Sequence, residues 1–141
     1  MKKILLGLFV LGAMAHGNEA TMKVNANVLE TLTIRIDKDV EFGNVAKGSK
    51  GNIGIGEFSV KGEQGNSVRV NIEEVDKGVI QMKHSISGAV INANIVEHPT
   101  EIQLNTQEFV KANRIAVELD VPSNSITGVY EGDIHLSVWY N

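Results

Sequence analysis

Residues 128–141, GVYEGDIHLSVWYN, alternate apolar and polar side chains over nearly their whole length. Tyr130, Ile134, Leu136, Val138 and Tyr140 fall on every second position, with Gly132 in the same register. Glu131, Asp133, His135, Ser137 and Trp139 lie between them. Successive side chains of a β-strand point to opposite faces, so this stretch reads as a single strand with one apolar and one mostly polar face. Trp139 is the exception on the polar face. A strand of this strength at the end of a chain either pairs internally or is offered to a partner.

The same period of two recurs along the chain. In residues 22–28, MKVNANV, Met22, Val24, Ala26 and Val28 are apolar and the residues between them polar. Leu32, Ile34 and Ile36 continue the pattern, which predicts two strands, or one long strand broken near Leu29-Glu30. Residues 40–45, VEFGNV, read as a short strand kinked at Gly43, and residues 53–60, IGIGEFSV, as a longer one. Val68, Val70 and Ile72 mark the next strand. Asp76-Lys77-Gly78 reads as a tight turn with Gly78 at positive φ, after which residues 79–83 pair back as a hairpin. Residues 91–97, the pair Ile102 and Leu104, and the set Ile115, Val117, Leu119 and Val121 predict three further strands. Only residues 106–113 have helical character, and they are too few for an independent helix. Short strands separated by turn signals roughly every 8–12 residues predict an all-β sandwich or barrel.

The first residues carry an address. Lys2 and Lys3 precede an apolar run at 4–11, followed by Ala13-Met14-Ala15. This is the layout of a secretory signal peptide, expected to occupy residues 1–15, and its apolar run is too short to span a bilayer. Export through the inner membrane is therefore expected, with no membrane span after cleavage. The chain has no cysteine, so neither a lipid anchor on cysteine nor a disulfide framework is available to it. Loss of Lys2 and Lys3 takes the formal charge from −4 to −6. That balance argues against nucleic acid or an anionic membrane as partner. The remainder suits one domain with a modest core.

Motifs for chemistry are weak. His16, His84, His98 and His135 are far apart and show no ligand spacing. Asp37, Asp39, Glu41 and Gly43 faintly echo a calcium loop but lack its length and its distal glutamate, and a solvated strand face explains them equally well. Gly51, Gly54 and Gly56 are not spaced as a phosphate-binding loop and read as turn or bulge glycines. No catalytic, cofactor-binding or metal-ligating residue is singled out, and the pattern is not that of an enzyme.

The signal peptide, MKVNANV, the element DVEFGNVAKGS and the ending GVYEGDIHLSVWYN together resemble bacterial fimbrial subunits. The likeness is to chaperone–usher pilins of the alternate (class 5) type and to exported domains related to spore coat U. Val40-Glu41-Phe42-Gly43 matches a hydrophobic-x-Phe-Gly element of such domains, and Gly128 and Tyr140 match a glycine and a penultimate tyrosine of the strand their chaperone binds. The resemblance covers most of the chain in layout, with the sharp motifs confined to about thirty residues.

It implies an immunoglobulin-like, pilin-like β-sandwich over residues 31–141, preceded at 16–30 by a strand given to a neighbour. Met22, Val24, Ala26 and Val28 would be the donor side chains. Gly128, Tyr130, Ile134, Leu136, Val138 and Tyr140 would form the acceptor groove and chaperone-binding strand. The implied partners are copies of the chain or other fimbrial subunits, a periplasmic chaperone and an outer-membrane usher, with passage through the periplasm to the cell surface. The same alternation also fits a self-complete sandwich whose first strand is 22–28, paired to its own terminal strand. That reading describes a monomeric secreted or surface-exposed binding or adhesion domain.

Overall fold

The computed structural model describes residues 18–141; the expected signal peptide and His16 lie outside them. The chain is all-β. Its strands are β1 (Thr33–Lys38), β2 (Asn52–Lys61), β3 (Ser67–Ile72), β4 (Ile80–His84), β5 (Val90–Glu97), β6 (Glu101–Gln103), β7 (Val110–Leu119), β8 (Tyr130–Glu131) and β9 (Leu136–Tyr140), with one short helix, α1 (Glu73–Lys77), after β3. They form two sheets with antiparallel pairing throughout, one ordered β1-β2-β7-β5-β4-β8 and the other β6-β3-β9.

Alternation decides which side of each strand is inside. In β3, Val68, Val70 and Ile72 are buried while Arg69 is exposed. In β7, Ile115, Val117 and Leu119 turn inward and meet Phe58 and Val60 of β2 in the core. Ile80, Ile91, Ala93, Ile102 and Leu104 complete it. Phe58 is the largest fully buried side chain, only 1% exposed.

Gly54 and Gly56 of β2 are not turn glycines. Both are buried inside the strand, where a Cβ would stand 2.8 Å from a methyl of Val40 and close to the backbone at 38–41. Their missing side chains let that segment lie directly against the sheet. Residues 40–45 consequently fold over β2 without joining its ladder, so the short strand expected there does not form.

Three further expectations change. Residues 22–28 are outside any strand, and Met22, Val24 and Val28 are almost fully exposed. The alternating run pairs only from Thr33 onward, where β1 meets β2. The hairpin expected around Asp76-Lys77-Gly78 does not form, because β3 and β4 belong to different sheets. In its place, α1 carries the chain across, with Glu73, Glu74 and Asp76 favourably placed in its first turn and Gly78 at φ 86° closing it. Finally, the terminal stretch is two strands. β8 pairs with β4 in the larger sheet, and β9 pairs with β3 in the smaller one. The crossing occurs at residues 132–135, where Gly132 sits so close to the Gln81 carbonyl that a Cβ would be 2.7 Å from it.

Phe58→Ala removes the largest side chain at the centre of the core. It is expected to lower unfolding free energy by about 3–5 kcal/mol, measured by urea denaturation followed by circular dichroism.

Candidate functional site

A strand at the edge of a sheet leaves alternate backbone N–H and C=O groups without a ladder partner. β1 is one edge of the larger sheet and β9 one edge of the smaller. An open groove of about 960 Å³ runs beside them, with residues 36–45 as one wall and residues 128–136 as the other. Its floor is the core itself, formed by Phe58, Met82, Ile91, Ile115 and Leu119. Val40 and Phe42 add apolar surface from the first wall, and Ile134 and Leu136 from the second; all four are half-buried.

Of the predicted acceptor residues, Gly128, Tyr130, Ile134 and Leu136 line this groove. Val138 and Tyr140 lie further along β9, half-buried against the same core. The predicted donor residues Met22, Val24, Ala26 and Val28 are exposed and contribute nothing to the groove of their own chain.

Tyr140 ties the base of the N-terminal segment to the end of β9. Its hydroxyl accepts the Glu63 N–H at 2.8 Å and donates to the Glu30 carbonyl at 2.7 Å. Gly62 makes room for it: a Cβ there would lie 2.6 Å from Leu32 and 2.7 Å from the Tyr140 hydroxyl. The segment at 18–30 thus leaves the domain from a fixed point.

Two local devices position the second wall. At its start, the His84 Nδ1 accepts the N–H groups of Ile86 and Ser87 at 3.2 and 3.0 Å. The ring proton is therefore on Nε2, which donates to the Thr127 carbonyl at 2.9 Å. Tyr130 packs edge-on against this imidazole at 5.1 Å and donates its hydroxyl to the Ile126 carbonyl at 2.7 Å. Gly128, at φ 140°, passes directly beneath the ring, and a Cβ would collide with His84 Nε2.

At the crossing to β9, Glu74 of α1 accepts both the backbone N–H of His135 at 2.7 Å and its ring Nδ1 at 2.6 Å. The Glu74 side chain is 7% exposed, that of His135 65%. The paired carboxylate raises the His135 pKa, and Glu73 and Asp133 act in the same direction. For Glu74, burial pushes the pKa up, but the hydrogen bonds from His135 outweigh it and the net shift is down. Glu73, Glu74 and His135 are also the three grouped side chains whose ligand atoms could surround a cation. Glu74 is already engaged by both N–H groups of His135, which makes the group a structural clasp.

The faint calcium-loop pattern is divided by the fold. Asp37 is held by Arg35 at 2.7 Å and by Ser59, which together lower its pKa, whereas Asp39 and Glu41 line the groove. Sequence reasoning missed Met82 on the floor and the Glu74 clasp. Met82 was visible as an apolar residue in a strand, but its sheet assignment depended on α1. The sequence does not signal that Glu74 and His135 meet. Compared with family models and with curated proteins, the chain matches none.

Gly128→Ala is expected to destabilise the domain by roughly 1–3 kcal/mol through forced φ and collision with His84, read from the urea midpoint. The clasp predicts a pH profile. With its folded pKa raised, His135 contributes stability in full below the ordinary imidazole value of 6.5, and the contribution is lost as pH rises through the raised value. With its pKa lowered, Glu74 contributes above the ordinary value of 4.5, and that is lost as pH falls through the lowered value. Melting temperature compared between wild type and His135→Asn is therefore expected to differ most between pH 4.5 and 6.5 and to converge on both sides.

Proposed function

We propose that this chain is an exported, immunoglobulin-like β-sandwich one strand short of closure, serving as a structural subunit of a surface fimbria or fimbria-like assembly. In this reading each copy gives its N-terminal segment to the groove of the next, after a periplasmic chaperone has occupied that groove in transit to an usher. The observation that carries it is the pairing of two features. An open groove lies over one side of the core, between residues 36–45 and 128–136, and an alternating segment of the same chain stands unpaired and nearly fully exposed. The Tyr130 hydroxyl bonded back to the Ile126 carbonyl adds support for the sandwich class, since immunoglobulin-like domains use such a tyrosine at a strand corner.

The seven residues 22–28, fully extended, span about 23 Å. An added strand supplies backbone hydrogen bonds along its length, and alternate side chains enter the floor. Burial of Met22, Val24 and Val28 favours the complex by roughly 1.5–3 kcal/mol each before ordering costs are subtracted. A one-residue slip would drive Lys23 and Asn25 into an apolar floor, so register is strict.

A monomeric adhesion domain is the second reading. Trp139, 42% exposed and opposite Arg69 on the outer face of β9, favours it as a contact for a ligand.

Size-exclusion chromatography with light scattering on residues 16–141 separates the two. Strand donation predicts oligomers or an unstable monomer, converted to a stable monomer by an excess of peptide spanning residues 20–30. A stable monomer indifferent to the peptide refutes strand donation and leaves the adhesion domain.

A further inference from the structure

The walls of the groove are charged in one sense. Asp39 and Glu41 stand on one side, Glu131 and Asp133 on the other, and Glu57 in the middle of β2 opposite Lys38, which is the one base among the lining residues. Among the described residues, none of these five carboxylates has a salt-bridge partner. The acids occupy the middle of both walls, above an apolar floor. A strand lying in this groove puts alternate side chains into the floor and the others up between the walls. Its upward positions therefore sit in a negative field, which disfavours an acidic residue there and favours a basic one.

The exposed segment of this chain meets that condition at one place. Between Ala20 and Leu29 its single charged residue is Lys23, which falls in the polar register between the apolar residues Met22 and Val24. We propose that the groove takes the N-terminal segment of a second copy of this chain, and that Lys23 is the specificity residue that sets its register. Met22 and Val24 enter the floor on either side while the Lys23 ammonium lies between the carboxylates of both walls. The proposal rests on the strand-donation reading above and adds to it the residue and the position at which the strand locks. Apolar knobs alone repeat every two residues and would accept a shift by two. A single charge meeting a band of opposite charge in mid-groove removes that degeneracy.

The test uses the chain over residues 16–141 and fluorescent peptides spanning residues 20–30. Uptake is read by anisotropy, and self-assembly of the chain by light scattering. At low salt the Lys23→Glu peptide is expected to bind about five- to tenfold more weakly than the wild-type peptide, as two rim ion pairs of ordinary strength would give. The difference is expected to vanish near 1 M salt, where the Debye length is about 3 Å. A chain carrying Glu131→Lys is expected to narrow the difference between the two peptides, since four carboxylates still face the groove. Equal binding of wild-type and Lys23→Glu peptides at low salt, with a Val24→Asp peptide still rejected, overturns the role of Lys23 and leaves strand donation standing. A chain that neither takes up the wild-type peptide nor assembles with itself overturns both.

Discussion

Backbone pairing is the constraint on which this structure depends. A sheet offers no internal partner to the outer side of its last strand, so each edge must be short, covered or shared. β8 and β6 are short, two and three residues, and expose little ladder. β1 has β2 on one side only, and the segment that follows it lies over the side-chain-free surface of Gly54 and Gly56 in β2. β9 has β3 on one side only. The groove lies between the end of β1 with the segment after it and residues 128–136, which hold β8, the crossing and the start of β9.

The positions around the seam are fixed by polar interactions that each bridge two elements. Tyr140 joins β9 to the residues just before β1 and just after β2. The Glu74 carboxylate holds the chain where it passes from one sheet to the other. The His84 ring, through both nitrogens, gathers the turn after β4 and the approach to β8. Satisfying a buried polar group at a crossover costs little when the partner is already in place and is destabilising when it is lost. Each bridge therefore makes the wall it supports a fixed surface.

What the sequence made legible was whatever depends on period. The inward faces of β3, β5 and β7 are the apolar positions of their alternating runs, whereas in β2 Gly54 and Gly56 share the inward face with Phe58 and Val60 and Ile53 is exposed. The same reading placed Tyr130, Ile134, Leu136, Val138 and Tyr140 on one apolar face, and all five pack on the core. It failed where the chain changes sheet. Five residues of α1 are too few to display a helical period, so β3 and β4 looked like neighbours in a hairpin. The crossing at Gly132 preserves alternation on either side, so β8 and β9 looked like one strand. Periodicity reports which face a residue takes, and it is silent on which sheet provides that face. Residues 22–28 illustrate the complementary limit: their alternation is as regular as that of β1, yet they form no strand in the isolated chain.

The attachment of the N-terminal segment has a mechanical consequence. The segment continues directly into β1, which lies antiparallel to β2 over six residues. Tension applied to it along the strand direction loads the β1–β2 hydrogen bonds together, in shear, instead of opening them one at a time from an end. The Tyr140–Glu30 bond stands ahead of them in the load path and breaks first. The domain would thus yield in two stages, a short give at the tether and then a stiff resistance from the ladder and from Leu32 and Ile34, which pack on the core.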